Sequence, residues 1–259
     1  LLRQSTFRAV FEGLVIADDW AHGSLPGRSG PPPQWQPLLL DIVQHCTEGK
    51  AITGASHGRA FRQVSSEGMA GLILATLPVL LLNLDRYGHR RAYIAAWVRQ
   101  LGGLDAEATV LADLFLHLCQ TYDIPYPGLP SSSRWGGVPG RVDKSPAGYE
   151  LASIQDLVEQ VQGQFQLGLQ LAQRQGRDRA QLGLVALFST LRGGLYAIPL
   201  SLRTMVKSVS PEDPDPGWST ADRQQLLQAG PGLYRQWSGG NGADACSSGH
   251  PTEVIAVTI

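Results

Sequence analysis

"GMAGLILATLPVLLLN" (Gly68–Asn83) is the stretch on which the fold turns. Its apolar side chains run almost all the way round a helical wheel, which marks a helix with neighbours on every side. The run is shorter than the roughly 20 residues that a bilayer span needs, and Pro78 interrupts it. It predicts a buried helix that bends at Pro78. Outward from it, helical periodicity predicts helices over about 4–22, 35–48, 66–83, 86–101, 105–121, 149–175, 178–197, 199–209 and 219–229. The segments 66–83 and 180–197 are expected at the centre. Asp105 ahead of Glu107, and Ser219 ahead of Asp222, read as helix starts. Alternating β-branched runs are almost missing, except "TEVIAVTI" at the C-terminal end. Nothing here can build a parallel sheet, so an α/β sandwich is not expected. The expected class is all-α, a compact multi-helix orthogonal bundle. It should form one domain over residues 1–237, with a flexible tail at 238–259.

The chain has 259 residues, ample for a core. It is 43% hydrophobic and 17% charged, with a net charge of −1, so electrostatics supply no reason to expect nucleic acid or an anionic membrane as a partner. The basic residues are nearly all Arg; the lysines are Lys50, Lys144 and Lys207. Cys46, Cys119 and Cys246 are widely spaced and form no CxxC pattern, which suits a reducing, cytoplasmic setting. No charged-then-apolar signal segment is visible, and a first residue other than Met suggests trimming. His22–Gln34, Tyr122–Gly148 and Ser210–Gly217 read as loops. The second is long enough to expect function or disorder, with Trp135 either pinning it to the body or acting as a lid contact.

In "GLVIADDWAHG" (Gly13–Gly23), helical spacing places Asp18 and His22 on one face with Phe7, Phe11 and Leu14. A carboxylate on that apolar stripe needs a cation, a hydrogen-bond cluster or a metal. Asp19, one residue round the helix, is expected in solvent. Asp18, Asp19 and His22 are the candidate catalytic residues. "GASHG" (Gly54–Gly58) matches the G-x-S-x-G nucleophile elbow, with Ser56 as nucleophile. That motif needs a strand before the serine, and "TEGKAIT" is short and polar, so a Gly-rich helix connection is expected instead. Asp113 and His117 stand four apart and suit a hydrogen bond better than a metal. His45 beside Cys46 reads as core filler. "DRYGHRRAYIAAWVR" (Asp85–Arg99) could touch a phosphate, but an ordinary amphipathic helix explains it better. Gly193 and Gly194 cost a helix about 1 kcal/mol each; close helix–helix approach is the expected gain.

"FRAVFEGLVIADDWAHG" (Phe7–Gly23) resembles the opening helix of the ADP-ribosylglycohydrolase family, approximately F-R-G-x-L-x-G-x-x-x-G-D-A-L-G. Phe7, Arg8, Gly13 and Asp18 match; Ala9, Ala17 and Ala21 stand where the other glycines would be. "SEGMAGLILATLPVLLL" (Ser66–Leu82) resembles the family's N-G-x-x-M-R-x-x-P-L helix, and "GGLYAIP" (Gly193–Pro199) the close of its last core helices. The resemblance spreads over residues 4–205. It implies an all-α fold that hydrolyses ADP-ribosyl linkages with two Mg or Mn ions. The family's ligands come from a T-D-D-T-like motif and from a G-D-T-D-T motif that opens a late helix. No T-D-D occurs between Gly23 and Ala60, and the late slot falls on Arg179, Ala180, Gln181, Leu182 and Gly183. The Arg of the M-R motif is replaced by Ala70. Hard cations need several oxygen ligands, which Ala180 and Leu182 cannot offer. No metal and no cofactor are therefore expected. The expected function is a non-catalytic, ADP-ribosylglycohydrolase-like scaffold that binds a protein partner or a nucleotide-like ligand, with no nucleic acid and no membrane. The alternative is a hydrolase of ADP-ribosyl or other N-glycosidic linkages, with a site rebuilt around Asp18, Asp19 and His22.

Overall fold

Every residue of the helix Met69–Leu82 is buried, as its all-round apolar pattern requires, and the helix runs through Pro78. A computed structural model describes residues 4–24, 33–84, 90–121, 146–207 and 218–239. Among these the chain forms eleven α-helices, one short 3-10 turn and no strand. In chain order they are α1 Gln4–Ser24, α2 Trp35–Glu48, α3 Gly54–Glu67, α4 Met69–Leu82, α5 Arg90–Gln100, α6 Asp105–Thr121, α7 Pro146–Gln160, α8 Phe165–Arg174, α9 Arg179–Gly193, α10 Leu200–Lys207 and α11 Thr220–Trp237. The expected all-α class is observed. No helix among the described residues is long and apolar enough to cross a membrane. The C-terminal "TEVIAVTI", Trp135 and most of the long loop lie outside the described residues.

One hydrophobic cluster runs from Phe7 on α1 to Leu233 on α11. Helix α1 packs against both α9 and α11, α2 against α4 and α11, and α4 against α9. Three helices are thus central: α4, α9 and α1. The middle of α9, Leu182–Leu191, is wholly buried. On α1, everything from Ala9 to Asp18 is buried, so its apolar stripe has become nearly a whole circumference. The central segment expected at 180–197 stops early. Helix α9 ends at Gly193, Gly194 takes a φ of 59°, and Tyr196 on the 3-10 turn is fully exposed. The two glycines therefore serve termination: Gly194 has the left-handed conformation that glycine adopts most easily, and a Cβ on Gly193 would meet Ala197 Cβ at 2.8 Å.

Other boundaries differ for local reasons. The helix expected over 149–175 is two, because Gln162 and Gly163 both take positive φ and turn the chain between α7 and α8. Helix α11 continues past the expected stop at residue 229 and through Pro231, since Leu233 is buried beyond it. The expected capping residues at Ser219 and Asp222 form a reciprocal capping box. At α6 the carboxylate of Glu107 accepts from Leu104 N at 2.7 Å, so the cap lies one residue ahead of Asp105.

Candidate functional site

Asp18 is 2% exposed and ends the continuously buried run of α1. Arg179, the first residue of α9, reaches it with two nitrogens: Nε donates to Oδ1 and Nη2 to Oδ2. Gln36 Nε2 on α2 donates to Oδ1 at 3.1 Å. The bidentate fork matches the plane of the carboxylate and adds orientation to charge. Burial pushes the Asp18 carboxyl up, while Arg179, His22 and Gln36 pull it down. His22, one turn on, is partly buried, and its Nδ1 lies 3.3 Å from the Asp18 carbonyl oxygen.

Asp19 is not in free solvent. It is 29% exposed and receives a second guanidinium fork from Arg223 on α11, with Nη1 to Oδ2 at 2.7 Å and Nη2 to Oδ1 at 2.5 Å. Arg223 is itself buried, and its Nε donates to the Trp218 carbonyl at 3.3 Å. Burial of nearly the whole circumference of α1 draws Asp19 into an interface that a single-stripe reading leaves open. A third carboxylate completes the series. Glu12, buried about two turns earlier, accepts from Arg203 Nε of α10 at 2.8 Å and from Arg8 Nε at 3.3 Å. Each of these three α1 acids is therefore paired with an arginine from a different later helix. The preference for Arg over Lys in the composition has a structural use here, since only Arg presents a planar fork.

The "GASHG" glycines have a packing role. Thr53 caps α3 and its Oγ1 accepts from Ser56 N, so Gly54 and Gly58 lie one turn apart on one helix. A Cβ on Gly54 would stand 2.3 Å from the Gln100 carbonyl oxygen, and one on Gly58 would stand 3.2 Å from that of Leu101. No strand precedes the serine among the described residues, so no elbow forms.

Another constellation lies outside the expected site. Asp41 and His45 are one turn apart on α2, and His57 comes from α3. His45 Nδ1 is 3.1 Å from Asp41 Oδ1 and 2.9 Å from the Asp41 carbonyl, and His57 Nε2 is 3.1 Å from Asp41 Oδ2. The two imidazoles meet edge to face at 4.6 Å. One ligand atom from each residue falls within 4.8 Å of the others. His45 is thus not core filler; its neighbour Cys46 is, with its thiol pushed far up by burial. Burial holds the His57 imidazole below its usual range, with Asp41 opposing. The signal was present in the sequence as a third Asp–His pair at four-residue spacing. Asp113 is partly buried on α6, and the His117 side chain lies outside the described residues.

Comparison with known proteins found no match: no family model, no curated protein and no solved structure is significantly similar to this chain.

Proposed function

We propose that this protein is a non-catalytic member of the ADP-ribosylglycohydrolase-like class, acting as a scaffold that binds a protein partner or a nucleotide-like ligand. One observation carries the reading: both oxygens of Asp18 are taken by Arg179. Asp18 matches the acid of the family's opening helix, and Arg179 occupies the first place of the late metal-binding slot. That slot opens a helix here too, since α9 begins at Arg179. A guanidinium then supplies the positive charge that a divalent ion would bring. A metal could enter only by displacing it, and Ala180 and Leu182 would still supply no oxygen ligands. The hydrolase alternative needs a carboxylate free to move a proton or hold a nucleophilic water. Asp18 and Asp19 are both engaged by arginine forks, which weighs against that alternative. The same pairing supports the absence of a Mg or Mn cofactor, and the cysteine pattern supports a cytoplasmic setting.

The test is ADP-ribose release from an ADP-ribosylated protein, with Mg2+ or Mn2+ supplied. The expected result is no release above buffer, for the wild type and for Asp18→Asn alike. Release that Asp18→Asn abolishes would restore the hydrolase.

A further inference from the structure

We infer that Asp41, His45 and His57 form a mononuclear site for a borderline divalent transition ion of the Zn2+ class, separate from the α1 carboxylates. Two imidazoles and a carboxylate make a nitrogen-rich donor set that suits zinc and its neighbours and does not suit Mg2+ or Ca2+. Three protein ligands leave a fourth position open, and Asp41, at 48% exposed, leaves a path from solvent.

Two independent observations point to a cation. First, His57 is 1% exposed, yet its Nε2 makes no hydrogen bond, although Asp41 Oδ2 is only 3.1 Å away. Second, the other ring nitrogen has a partner that can take its proton. Ser56 Oγ donates to the Thr53 carbonyl at 3.2 Å and lies 2.6 Å from His57 Nδ1, where it can accept the Nδ1 proton. That tautomer leaves a lone pair and no proton on Nε2, 3.1 Å from Asp41 Oδ2. Two lone pairs at this distance repel one another unless a cation lies between them. A partner that holds the far nitrogen of a ligating histidine orients the ring, and loss of such a partner typically weakens metal binding by about 10–100-fold. The ligand atoms are spread wider than a tetrahedral ion would hold them, and the partly exposed His45 ring, whose Nδ1 lies 2.9 Å from the Asp41 carbonyl, would turn to bring a ring nitrogen onto the ion.

The experiment is calorimetric titration of the full chain with Zn2+ at neutral pH, repeated with Mg2+. The variants are Asp41→Asn and His45→Gln, at positions exposed enough to spare the core, and Ser56→Ala. Co2+ absorption in the visible range gives a second reading on the wild type, because four-coordinate Co2+ with nitrogen ligands absorbs far more strongly than the hydrated ion. Expected are one equivalent of Zn2+, no comparable Mg2+ binding and an intense Co2+ spectrum. Asp41→Asn and His45→Gln should each lose at least tenfold in affinity, and Ser56→Ala about tenfold. Absence of Zn2+ binding by the wild type would overturn the assignment. So would an isotherm that neither Asp41→Asn nor His45→Gln changes, since the chain holds other histidines that could capture the ion.

Discussion

At the scale of single residues, the pair Asp18–Arg179 is where burial and charge meet. Removing one partner of a buried pair leaves the other without compensation, typically at about 3–5 kcal/mol. Arg179 retains some exposure, so Asp18→Ala should sit near the lower end, about 3 kcal/mol. Arg203→Ala should cost less, about 1 kcal/mol, because Arg8 remains beside Glu12. Asp19→Ala should cost about 1–3 kcal/mol, since it removes the carboxylate that both Nη atoms of the buried Arg223 reach. Urea denaturation of the three variants checks the order; an Asp19→Ala protein as stable as the wild type would mean that its fork contributes nothing. Asp18's need for a partner was legible in its place between Leu14 and His22 on one face. The partner's identity was not, because Arg179 is 161 residues away and nothing local marks it. Asp19 was misread because a helical wheel shows one stripe, whereas the number of helices that surround α1 is a property of the whole fold.

At the scale of elements, close crossings are set by glycines. A Cβ on Gly230 would meet Arg8 Cα at 2.7 Å and Arg8 N at 2.8 Å, so α11 lies directly on the backbone of α1. At Gly183 the obstacle is the Leu74 Cδ1 methyl at 2.7 Å, the far end of a side chain that can rotate. Backbone cannot yield as a methyl can. Gly230→Ala should therefore destabilise by about 3 kcal/mol or more, and Gly183→Ala by about 1 kcal/mol. Thermal melts of the pair check this; equal shifts would mean that α1 and α11 can slide apart. Most helices were legible from periodicity, including the buried α4. Helix α3 was missed because its two glycines and polar residues hide a helix whose value lies in approaching the α5 end. The stop expected at residue 229 failed for a related reason: Gly230 is needed for the α1 crossing, and the helix carries on to bury Leu233.

At the scale of the molecule, arginines supply the positive charge around the central helix α1. Three carboxylates on a central helix are tied to α9, α10 and α11 by arginines, so the cations that hold the helices together belong to the chain itself. On the proposed reading, Arg179 stands where a divalent ion would otherwise neutralise Asp18. This makes Mn2+ titration followed by electron paramagnetic resonance the most direct measurement. The account predicts that the six-line signal of free Mn2+ keeps its full amplitude through two added equivalents, for the wild type and for Asp18→Asn alike. Loss of the signal for two equivalents in the wild type, restored by Asp18→Asn, would contradict it.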